Sequence, residues 1–114
     1  MSKPAPISLA LAEVPEGKMH ALTVDGREIL VCRIREGVYA LDNICSHAYA
    51  RLNEGRLRGH RLICPLHGAA FDVRDGRALG APATRPLAMH AVDVVGDRIE
   101  ISLAPAGAEP LSQR

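Results

Sequence analysis

CSHAYARLNEGRLRGHRLICPLHG, residues 45–68, carries two compact groups of metal-binding side chains. Cys45 and His47 are separated by one residue and Cys64 and His67 by two, with sixteen residues between His47 and Cys64. Two thiolates and two imidazoles on separate loops suit either a tetrahedral zinc or a [2Fe–2S] cluster held by sulfur on one iron and nitrogen on the other. The one-residue gap fits two adjacent metals more comfortably than a single tetrahedral ion. If each loop gives its cysteine to one iron and its histidine to the other, the electron settles on the iron with the less negative shell. The potential then rises above that of an all-cysteine cluster.

Loops that hold a metal need rigid strand ends behind them. Moving outward, short β-rich runs recur between Gly, Pro, Asp and Asn. Lys18–Val24 ends at Asp25-Gly26, a hairpin signal. Glu28–Ile34 is the most apolar run and reads as a central strand, and Arg35-Glu36-Gly37 turns the chain into Val38–Leu41. Arg61–Cys64 feeds the second loop, Ala70–Val73 leaves it, and Leu87–Val95 and Arg98–Leu103 are joined by Gly96-Asp97. Helical periodicity is weak, and about nine short strands with frequent turns predict an all-β antiparallel sandwich or barrel. Strands before and after the loops must pair to make a base, residues 7–44 and 86–104. Residues 45–85 stand on it as an inserted lobe. The reading is a single domain over 1–104 with a flexible tail over 105–114.

The 114 residues allow one core. A net charge of +1 and 3% aromatic residues, with no tryptophan, argue against nucleic acid as a partner. No apolar run reaches the length of a membrane helix and no export signal stands at the N-terminus, so a soluble, cytoplasmic protein is expected. Three cysteines, an odd number, argue against a disulfide framework and for a reducing compartment. Cys32, mid-strand, reads as a small buried hydrophobe. His20, His60 and His90 read as surface or packing residues. Residues 45–90 hold seven arginines against three acids, whereas the remainder holds seven bases against ten acids. That excess is either a solvated face or a basic rim that steers an acidic partner toward the loops.

The motif Cys45-x-His47, sixteen residues, Cys64-Pro65-Leu66-His67-Gly68, followed by Phe71-Asp72, resembles the Rieske iron–sulfur proteins. Gly37–Leu41 before the first loop, Leu52-x-x-Gly55 after it and the proline loop Gly80–Pro86 extend the resemblance over nearly the whole chain. It implies a small Rieske β sandwich with a cluster-binding subdomain and one Rieske-type [2Fe–2S] cluster. By that similarity Cys45 and Cys64 would bind the inner iron, His47 and His67 the outer, solvent-facing iron, and Gly80–Pro86 would cover a third side.

The departures narrow the family. Respiratory members carry a further cysteine in each loop; here Leu66 precedes His67 and no cysteine follows His47. They also supply Ser and Tyr hydroxyls where this chain has Ala69 and Phe71. Without those donors the sulfurs stay electron-rich and reduction is disfavoured. The chain is therefore similar to the low-potential, soluble ferredoxins of ring-hydroxylating dioxygenase systems. That implies a one-electron carrier, not catalytic alone, between an NAD(P)H-dependent flavoprotein reductase and a terminal oxygenase. It would be a monomer that docks transiently at the His47/His67 edge. Two alternatives are the small Rieske-like subunit of a cytoplasmic nitrite reductase and a structural zinc module.

Overall fold

The computed structural model describes residues 7–45, 50–66, 68–80 and 85–104. Glu28–Ile34 was expected as a central strand because its apolar residues run on without alternation. The strand spans Arg27–Ile34 (β3), and Ile29 to Cys32 are fully buried. Both faces of β3 are covered, which removes the need for a polar side. Ile29 and Val31 enter one core with Leu9, Val14, Ala40, Ile99 and Ile101. Leu30, Cys32 and Ile34 enter a second core with Leu41, Leu52, Leu62, Phe71, Val73 and Leu87.

Around β3 the strands are β1 (Ile7–Ala10), β2 (Met19–Val24), β4 (Gly37–Asp42), β8 (Met89–Val95) and β9 (Arg98–Ser102). They form a six-stranded antiparallel sheet in the order β1-β9-β8-β4-β3-β2. β8 pairs with β4 only through Met89 and His90, then with β9 through Ala91 to Val95. It thus passes from one half of the sheet to the other, and the first core fills the space between the halves. The β2–β3 turn is Asp25-Gly26, with φ of 51° and 78°, the left-handed pair that a two-residue hairpin needs.

The lobe is a three-stranded sheet of β5 (Arg56–Arg58), β6 (Arg61–Ile63) and β7 (Ala70–Asp72). Leu57, Leu62 and Phe71 form its inner face, directly opposite one another across the ladders, and pack on the second face of β3. The lobe therefore shares a core with the base. Two strands are additional to the runs marked in the sequence. β5 is Arg-Leu-Arg, with one apolar side chain. β1 is four residues long and gains its place only by pairing with β9.

Burial pushes the Cys32 thiol up to about 12, so it stays protonated and acts as a packing residue. His90 is buried: Nδ1 accepts from the Ala104 N–H at 2.9 Å, which leaves Nε2–H to donate to Asp42 Oδ1 at 2.9 Å. Arg27 donates to the Ala104 carbonyl at 2.6 Å, so both backbone groups of Ala104 are held. The tail expected over 105–114 lies outside the described residues. Among the described residues, no helix is long and apolar enough to cross a membrane.

Candidate metal centre

Two loops are closed in the same way. The first leaves β4: Ile44 bridges Arg51 across its mouth, and the Cys45 N–H donates to the Ala50 carbonyl at 2.8 Å. The second leaves β6: Ile63 pairs with Ala70, and the Cys64 N–H donates to the Ala69 carbonyl at 2.7 Å. In each, a cysteine follows a strand pair and its N–H reaches the carbonyl five residues on.

Each loop is anchored from below. Asn43, 1% exposed, links β4 to the turn Leu52–Glu54. Its carbonyl accepts from the Leu52 N–H at 2.7 Å, and its side chain exchanges bonds with the Asn53 N–H (2.9 Å) and Asn53 Oδ1 (2.8 Å). Arg51 grips Glu28 of β3 through both carboxylate oxygens. Gly55 lies against the second loop, where a Cβ would overlap the Ile63 carbonyl oxygen. Leu52-x-x-Gly55 thus has a packing reason independent of any resemblance.

Behind the second loop, Asp72 is 1% exposed. Its Oδ1 accepts from the Arg74 N–H and Nε, both at 3.0 Å, and its Oδ2 from Arg74 Nη2 at 2.8 Å. Arg77 and His60 approach Oδ2 at 3.5 and 3.9 Å. The Arg74 hydrogen bonds hold this carboxyl at about 2, below its ordinary 3.8. A folded pKa below the unfolded one stabilises the fold above the unfolded value, and this is lost as pH falls from 3.8 toward 2. Asp72→Asn should therefore cost on the order of 2 kcal/mol at neutral pH. In urea melts, its deficit against the wild type should shrink as the pH drops below that window. A deficit constant with pH would contradict the assignment.

Both cysteines are 2% exposed, and neither is in a disulfide. Burial pushes the Cys64 thiol up, the Leu66 N–H at 3.4 Å from Sγ draws it back, and Cys45 pushes it up again. A cation bound between the two loops would offset the cost of ionising the buried Cys64 thiol. The donor set fits a thiolate-ligated metal. His47 and His67 lie outside the described residues, as do residues 81–84 of the Gly80–Pro86 loop. Pro65, Leu66 and Gly68, which flank His67, are all exposed, Leu66 at 46%. Gly68 has a φ of +70°, a backbone conformation that favours glycine, and among the described residues nothing lies within 4 Å of where a Cβ would stand. Asn43 and Asp72 were not identified as anchors in the sequence. The only signal was their position beside each loop.

A family model for the Rieske [2Fe-2S] domain matches residues 7–95. The ferredoxin component of a naphthalene 1,2-dioxygenase system from Pseudomonas aeruginosa is 41% identical over 97 residues, 85% of this chain and 93% of that protein. Among solved structures, the ferredoxin of carbazole 1,9a-dioxygenase from Nocardioides aromaticivorans is 35% identical with a TM-score of 0.82, covering 89% of this chain and all of that one. A carbazole 1,9a-dioxygenase complex of reduced oxygenase and oxidised ferredoxin gives 31% identity and a TM-score of 0.78, over 84% of this chain and 93% of that one. A chain from Mycobacterium tuberculosis assigned as the small subunit of an NADH-dependent nitrite reductase is 18% identical with a TM-score of 0.73, over 90% and 100%, a likeness of fold alone.

Proposed function

The chain belongs to the Rieske [2Fe–2S] family, and from that premise we propose that it is the electron-carrying ferredoxin of an aromatic-ring dioxygenase system. It takes single electrons from an NAD(P)H-dependent flavoprotein reductase and delivers them to a terminal Rieske non-haem iron oxygenase. It carries one Rieske-type [2Fe–2S] cluster, which when bound supplies one-electron storage, and it catalyses nothing by itself. Its relatives at 31–41% identity are ferredoxins of such systems, which favours this role over the nitrite reductase subunit.

We assign Cys45 and Cys64 to the inner iron and His47 and His67 to the outer. One observation carries this: two buried cysteines stand at the ends of two equivalently closed loops. The exposure of Leu66 and Gly68 on either side of His67 supports an outward histidine. The Leu66 N–H supports a thiolate at Cys64 by donating to its sulfur. A shuttling carrier must release each partner, so we place brief docking of a monomer at the His47/His67 edge, with exposed Leu66 as its apolar contact. Cytoplasmic location and one domain through residue 104 belong to the same proposal.

The test is reconstitution. Mixed with a flavoprotein reductase, NAD(P)H and a terminal oxygenase of this class, the protein should be reduced and reoxidised, and aromatic oxygenation should depend on it. It should elute as a monomer. Obligate co-purification with a sirohaem subunit would contradict the proposal.

A further inference from the structure

Six of the lobe's seven arginines fall into two groups. Arg51 is bound to Glu28, and Arg74 and Arg77 surround Asp72; these serve the fold. Arg56, Arg58 and Arg61 have no carboxylate in ion-pair reach among the described residues, and nor does Lys18. Arg58 and Arg61 are direct cross-strand partners, and all three arginines are exposed. Like charges opposed across a ladder oppose folding, so the fold itself gives no reason for this pair. Arg56 stands opposite Ile63, the residue before Cys64. A groove of about 500 Å³ runs beside this row, between the start of β2 and β5. Lys18, Arg56 and Arg58 line it together with half-buried Met19 and Leu57, and no acid does.

We propose that this groove and the β5–β6 face dock an acidic protein segment, with an apolar side chain against Met19 and Leu57, on a redox partner. The inference rests on the carrier role above and extends it. Unpaired cations give fast, salt-sensitive association, and the groove's place beside the second loop would bring the partner's acceptor to the cluster edge. A nucleic acid is the less suited occupant: the lining contains no aromatic ring for a base to stack on.

The experiment uses the cluster-loaded protein and a fluorescein-labelled peptide of Glu, Asp and Leu, with a Gln/Asn/Leu peptide of equal length as control. Fluorescence anisotropy should show binding of the acidic peptide only. Raising salt from about 20 to about 200 mM should weaken it several-fold. The Arg56→Gln/Arg58→Gln variant should bind at least about tenfold more weakly, while Arg98→Gln, on β9 toward the opposite edge of the six-stranded sheet from β2, should bind like wild type. Unchanged binding in the double variant would overturn the proposal. So would equal loss in Arg98→Gln, or tighter binding of a single-stranded oligonucleotide. The cluster's electron paramagnetic resonance (EPR) signal, recorded on dithionite-reduced portions of the same samples, separates the two readings. An intact signal without peptide binding sinks only the docking surface, whereas no signal in the wild type sinks the carrier role.

Discussion

Cys64→Ser is expected to empty the centre while leaving the β sheets standing. Cys64 is 2% exposed, and its sulfur accepts the Leu66 N–H. A serine hydroxyl keeps its proton at neutral pH, so the inner iron would lose one of its two anionic ligands. Iron and acid-labile sulfide should fall from about two each per chain toward none, and the visible absorbance should disappear with them. Far-UV circular dichroism should remain that of a β protein, because the Cys64 N–H bond to Ala69 is made by the backbone. Cys32→Ser is the control. That thiol, buried in β3 and pushed up to about 12, should leave iron content unchanged. Retention of the full cluster in Cys64→Ser, or its loss in Cys32→Ser, would contradict the ligand assignment.

Gly55→Ala should disturb fold and site together. The added methyl would overlap the Ile63 carbonyl and crowd the ring of Pro65, the residues on either side of Cys64. Backbone cannot yield as a flexible side chain can, so β5 and β6 must separate or the second loop must shift. A destabilisation of about 3 kcal/mol or more is expected, which for a domain of this size lowers the melting temperature by roughly 10–20 °C. Faster release of iron under a chelator should accompany it. Gly59→Ala, at the β5–β6 turn, is the comparison. There φ is +56° but no neighbour lies within 4 Å among the described residues, so only a strain on the order of 1 kcal/mol applies. Equal melting temperatures for the two variants would contradict the packing argument.

Much of this architecture was readable from local chemistry. The unbroken apolar run of β3 announced burial on both faces, and Asp25-Gly26 announced its hairpin. The Cys45-x-His47 and Cys64-x-x-His67 pattern stands out in the sequence because ligand chemistry depends on residue type and spacing. What could not be read depends on partners distant in the chain. β5 is a strand because Arg56 to Arg58 pair with Arg61 to Ile63 around an inward Leu57, a pattern that looks like a polar loop in isolation. Asp72 is buried under Arg74 and Arg77, an arrangement that residue spacing alone does not state. Ala104 is fixed by His90 and Arg27, fourteen and seventy-seven residues away. The division of the arginines into folded pairs and an unpaired row likewise needed coordinates, since charge counting merges the two.

Low-temperature EPR of the dithionite-reduced protein is the most direct test of the central claim, that one thiolate-held and one imidazole-held iron are bridged between the two loops. The account predicts a rhombic signal whose mean g lies below that of an all-cysteine [2Fe–2S] centre. An all-cysteine type of spectrum, or a silent sample containing one zinc per chain, would contradict it.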